Sequence, residues 1–146
     1  MPVSAEEEFN DLCFYTLSHP GKSFIHQHIV DAFTAQTAIA TTKAISIIFS
    51  LAGLYLYIEN NLTGKEVQLF HMQMAKRKRT WPNIIQPKNR GHITVKDVLA
   101  AVPGDARDYM IRKWCSCVWD SYRDNHKAIT VLVQSEFLRL PFPKKK

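Results

Sequence analysis

The chain has 146 residues, 46% hydrophobic and 22% charged, with five glycines, seven prolines and a formal net charge of +6. These values fit one globular domain that closes a core without disulfide or metal staples, and they exclude fibrous, low-complexity and broadly disordered classes. Much of the positive charge is local, in "KRKR" at 76–79 and "KKK" at 144–146, so charge alone argues weakly for a nucleic-acid partner.

The opening "MPVSAEEEFND" is acidic and lacks an apolar core region, which reads as neither a secretory signal nor a transit peptide. Three cysteines, an odd number, form no disulfide framework and point to a reducing, cytoplasmic setting. Residues 6–17 carry apolar groups at helical spacing behind an acidic first turn, which the helix dipole favours. "SHPG" at 18–21 ends that helix, and Ser23 is placed to cap a second one running to about Ala40. Residues 44–58, "AISIIFSLAGLYLYI", are apolar nearly all round. At 15 residues the run falls short of the roughly 20 that a bilayer span needs, so it predicts a buried central helix.

Thr63 and Glu66 form a capping-box pair ahead of a helix with Val67, Phe70, His71 and Met74 on one stripe. Pro82, Pro87 and Gly91 mark 80–93 as a long irregular connection, either functional or packed over the core. Thr94 caps a short helix stopped by Pro103 and Gly104. From Asp105 or Ala106 the spacing Ile111, Trp114, Cys115, Val118, Tyr122, Ile129, Val133 predicts one long last helix. No segment alternates with period two. The expectation is a single helical domain over 1–146 with a basic tail at 141–146: all-α, an up-and-down bundle of four main helices plus one or two short ones.

Three helices bring histidine toward that core. His28 and Asp31 share a face, whereas His26 and His28 diverge by roughly 200°. His71 sits on the fourth segment's stripe and His126 on the line of the last helix. Bundles build metal sites from inward His, Asp and Glu on facing helices, so His28, Asp31, His71 and His126 are the candidate ligands of a divalent ion. Neutral imidazole suits zinc, iron or nickel. An open metal position would activate water or take an anionic small molecule, with loop 80–93 as the lid. The plainer alternative is that each histidine packs beside a hydrogen-bond partner. Cys115 and Cys117, two apart, point away from each other and form neither a redox pair nor a clip. The competing function is an interaction module in which Lys76, Arg77, Lys78, Arg79 and Trp81 grip nucleic acid or an acidic protein partner. The histidine signal leaves open whether the protein is an enzyme, and aromatic surface would suit a homodimer.

"HQHIVDAFTAQT", "WPNIIQPKNRGHITVKDVLAA" and "IRKWCSCVWDSYRDNH" together resemble a family of small uncharacterised bacterial all-helical proteins, over about residues 26–126. The resemblance singles out His26, His28, Asp31, Trp81, Pro82, Gly91, Asp97, Trp114, Trp119 and His126, and it brings no known activity. This chain departs from the pattern in having only Cys13, not a cysteine pair, ahead of the histidines.

Overall fold

A computed structural model describes residues 4–18, 24–76 and 80–137. Among these the protein is all-α, with no strand: α1 Ala5–Ser18, α2 His26–Thr37, α3 Ala44–Ile58, α4 Gly64–Ala75, α5 Val95–Ala100, α6 Asp105–Ser121 and α7 His126–Phe137. Ser23, Arg77–Arg79 and the tail at 141–146 lie outside the described residues. No helix among those described is long and apolar enough to cross a membrane.

Local chemistry accounts for the helix starts. The Ser4 hydroxyl accepts from the Glu7 amide at the head of α1, and Thr63 and Glu66 close a reciprocal capping box at the head of α4. The Asp97 carboxylate accepts from the Thr94 amide and hydroxyl at α5. α3, apolar on every side, takes the centre and packs against α2, α4, α6 and α7, while α1 lies against α2 and α5. One contiguous core results, running from Leu12 through Leu51 and Phe70 to Trp114 and Val133.

Two expectations about boundaries change. α2 stops at Thr37, not near Ala40, because Ala38 is extended and the Arg90 guanidinium bonds the carbonyls of Gln36 and Ala38. The predicted last helix is two helices, broken by a 3-10 turn at Arg123–Asn125. The cause is Asn125, whose side chain accepts from the Ile85 amide (2.7 Å) and donates to the Ile85 carbonyl (2.8 Å). The turn holds Asn125 where it closes that pair with a loop 40 residues away, just past the end of α6 at Ser121.

Loop 80–93 is accordingly packed. Asn125 grips its middle, and Gln36 donates to the Arg90 and Ile93 carbonyls. Gly91 adopts φ +91°, where an added Cβ would sit 3.3 Å from the Cys117 side chain and carbonyl.

Candidate functional site

α2 lies against α3 so that His28 faces Tyr57 and Asp31 faces Gly53. Both polar residues are core residues, 2% and 3% exposed. Asp31 Oδ1 accepts from Gln27 Nε2 at 3.1 Å, one turn back on the same helix. Its Oδ2 is buried with no hydrogen-bond partner. Gly53 creates the space for that oxygen: a Cβ built there would fall 1.9 Å from Oδ2 and 3.2 Å from His71 Nε2. The carboxyl of α2 and the imidazole of α4 therefore converge on one bare stretch of α3 backbone.

His71 Nε2 bonds the Phe49 carbonyl at 2.8 Å. A carbonyl only accepts, so Nε2 carries the hydrogen and Nδ1 the lone pair. His28 lies flat on Tyr57, centroids 3.5 Å apart, and its Nδ1 is buried without a partner. Arg112 closes this end, with its guanidinium 4.7 Å from the Tyr57 ring centre. Cys115 points in from α6 and its thiol donates to the His28 carbonyl at 3.6 Å.

Burial governs the electrostatics. It lifts the Asp31 carboxyl well above the usual carboxylate range, with the Gln27 bond pulling weakly the other way. It lowers His28 to about 3, aided by the Arg112 charge, and it lowers His71, against which the Phe49 carbonyl acts. The Cys115 thiol rises through burial and the nearby Asp31 charge. The core therefore favours a neutral acid beside two neutral imidazoles, with the Arg112 guanidinium at the His28 end.

Of the four candidate ligands, Asp31 and His71 meet, and His28 sits one turn from Asp31 along the same interface. His126 is placed differently: its ring stacks on Trp119 at 3.7 Å and its Nε2 donates to the Trp119 carbonyl at 2.7 Å. Among the described residues no three His, Cys, Asp or Glu side chains gather as a ready metal-ligand set. His26 diverges from His28 as expected, its Nδ1 bonding the Thr16 hydroxyl at 2.9 Å. Lys76 is exposed at the end of α4, and Trp81 is half-buried with its ring centre 5.7 Å from that of Phe49. Phe49 also meets the His71 ring, so the Trp81 end of loop 80–93 connects to the cluster through Phe49.

Sequence reasoning passed over Gly53, Gln27, Tyr57 and Arg112. A glycine in the middle of an apolar helix was the available signal, because glycine there costs roughly 1 kcal/mol relative to alanine and calls for a packing reason.

A family model described as a family of unknown function (DUF5946) matches residues 5–123, so the chain belongs to that family. The matched segment contains His28, Asp31, Gly53 and His71 and ends before His126. No curated protein and no solved structure matches the chain.

Proposed function

We propose that this member of DUF5946 holds a divalent cation in its helical core at Asp31 and His71, with His28 as the further donor. The observation that carries the reading is Asp31 Oδ2, a buried oxygen with no partner, beside an imidazole over Gly53. An unsatisfied buried polar atom costs about 1–3 kcal/mol, which a cation would offset. His28 stays neutral down to about pH 3 and so keeps a free lone pair through the physiological range. His71 brings Nε2 to the Gly53 gap, so to ligate a cation beside Asp31 the ring would release the Phe49 carbonyl and shift its hydrogen from Nε2 to Nδ1. Neutral imidazole with one carboxylate suits zinc, iron or nickel, and the remaining coordination positions fall to water or a small anionic ligand.

Binding must displace the proton that burial favours on Asp31, so affinity should rise with pH. The test is elemental analysis of protein purified without a metal-affinity tag, alongside Asp31→Asn with His71→Gln, and His126→Ala. Near-stoichiometric metal in the native chain and in His126→Ala, lost from a folded Asp31→Asn, His71→Gln protein, is the expected result. No metal in the native chain, or metal indifferent to the double change, refutes the reading.

A further inference from the structure

Three rings in a row join the core cluster to the surface. The His71 ring on α4 lies 5.4 Å, centre to centre, from the Phe49 ring on α3, and Phe49 lies 5.7 Å from Trp81 of the loop. Phe49 is partly buried against the core and Trp81 is half-buried. Trp81 forms, with Pro82 and with Ala128, Val131 and Leu132 of α7, the mostly apolar walls of an open groove of about 710 Å³. Side chain by side chain, the path from Asp31 crosses the Gly53 gap to His71, then Phe49, then Trp81 and the groove.

His71 is the point on this path with two exclusive states. Its Nε2 faces the gap that Asp31 Oδ2 also fills, 3.2 Å from where a Gly53 Cβ would sit. In the structure that nitrogen donates its hydrogen to the Phe49 carbonyl at 2.8 Å. A ring nitrogen that carries a hydrogen has no lone pair for a cation, so Nε2 either donates to Phe49 or coordinates, never both. Coordination therefore breaks the tie between the imidazole and the Phe49 backbone and re-aims a ring that rests beside the Phe49 ring. Close-packed interiors answer such a change by moving between discrete packings rather than by yielding continuously. Phe49 also packs on Trp81, and Trp81 borders open space at the groove, so the repacking has an outlet at the surface.

We propose that cation binding at Asp31 and His71 reshapes the Trp81 wall of the groove, with His71 as the switch. The inference rests on the cation site proposed above and adds its regulation: the groove has one form without the cation and another with it. Linkage makes the coupling reciprocal, so a change at Trp81 alters cation affinity although Trp81 is no ligand. Phe49 and Trp81 pack against the state in which Nε2 holds the Phe49 carbonyl, and removing the Trp81 ring loosens that state and strengthens cation binding. The other two tryptophans are off this path. Trp114 donates to Gln36 at 2.9 Å and Trp119 stacks on His126, so both serve as internal references.

The experiment is a zinc(II) titration of the full chain, stripped with a chelator and labelled with fluorotryptophan. Calorimetry follows binding and fluorine NMR follows the indoles, with Trp81→Phe assigning the Trp81 signal. That signal should move with the midpoint of zinc binding, and by more than those of Trp114 and Trp119. In Phe49→Leu, which keeps an apolar side chain beside His71, zinc should bind within about threefold of native affinity while the Trp81 shift falls by more than half. Trp81→Ala should bind zinc at least about threefold more tightly. Circular dichroism checks that each variant folds. Zinc binding with an unmoved Trp81 signal overturns the inference and leaves the cation site standing. No zinc binding overturns both, since a carboxylate and neutral imidazoles that take iron or nickel also take zinc. A Trp81 shift that persists in the Asp31→Asn, His71→Gln protein has its origin elsewhere and overturns the inference, as do a full shift in Phe49→Leu and an unchanged or weaker affinity in Trp81→Ala.

Discussion

Gly53→Ala sets helix propensity against packing. In an exposed helix interior the change stabilises by about 1 kcal/mol, because alanine has less backbone freedom to lose. At this position the new methyl falls 1.9 Å from Asp31 Oδ2 and 2.8 Å from its Cγ. Carbon and oxygen need more than 3 Å, so the carboxyl must move by more than an ångström. Its room is small: Asp31 is buried, Oδ1 is held by Gln27, and His71 Nε2 lies 3.2 Å from the same methyl. Overpacking costs about 1–3 kcal/mol, and a strained or broken buried hydrogen bond costs about 1–3 kcal/mol more. After the propensity gain, the net expectation is a loss of about 1–5 kcal/mol.

Urea denaturation of four proteins, native, Gly53→Ala, Asp31→Ala and the double variant, isolates the cause. If the methyl and the carboxyl compete for one space, removing the carboxyl recovers the propensity gain. The double variant should then be more stable than the sum of the single effects allows, by about 2 kcal/mol or more. Additive effects, or a Gly53→Ala protein as stable as the native one, would show that Gly53 is not what accommodates Asp31 and would remove the geometric basis of the candidate site.

His28 should make the fold acid-labile. Its folded value of about 3 lies below the ordinary 6.5, so the unfolded chain binds the proton more tightly. Its contribution is complete above about pH 6.5 and declines by about 1.4 kcal/mol per pH unit as pH falls toward 3. Asp31 acts with the opposite sign: its raised value favours the folded state at low pH and costs stability as pH rises above about 4. Denaturation midpoints from pH 4 to 8 should flatten on the acid side in His28→Phe and lose the high-pH decline in Asp31→Asn; an unchanged acid limb in a folded His28→Phe protein counts against the burial of that ring. Asn125→Ala removes both bonds to Ile85 and should cost about 2–4 kcal/mol, with hydrogen exchange at the Ile85 amide accelerating more than in the core of α3. Exchange at Ile85 no faster than in the native protein would mean the loop is held by other contacts.

What the sequence made legible was local. The Thr63–Glu66 capping box, the stripe of α4 and the bounds of α3 each depend on residues within a turn or two, and each stands as read. The long last helix misread a pattern that is real: Val118, Tyr122, Ile129 and Val133 keep helical spacing and are all buried, yet the helix breaks between them. Hydrophobic spacing reports which side faces the core and is blind to a turn that preserves that side. Asn125, which imposes the turn, acts through a partner 40 residues back.

The candidate site divides along the same line. That His28 and Asp31 share a face was an intrahelical fact and holds, and so does the divergence of His26. Which histidine from another helix meets Asp31 depends on how α2 and α4 align against α3, and Asp31 and His71 come together at Gly53, the position where α3 offers no side chain. His71 lies opposite that gap. His126 does not, because the turn at Arg123–Asn125 lays its ring over Trp119, itself packed on Tyr55. The same glycine that interrupted the apolar run is therefore what admits an acid to the core. Asp31 without Gly53 would be a steric clash, and Gly53 without Asp31 would be a void against α2, so the two positions are expected to behave as one unit under mutation.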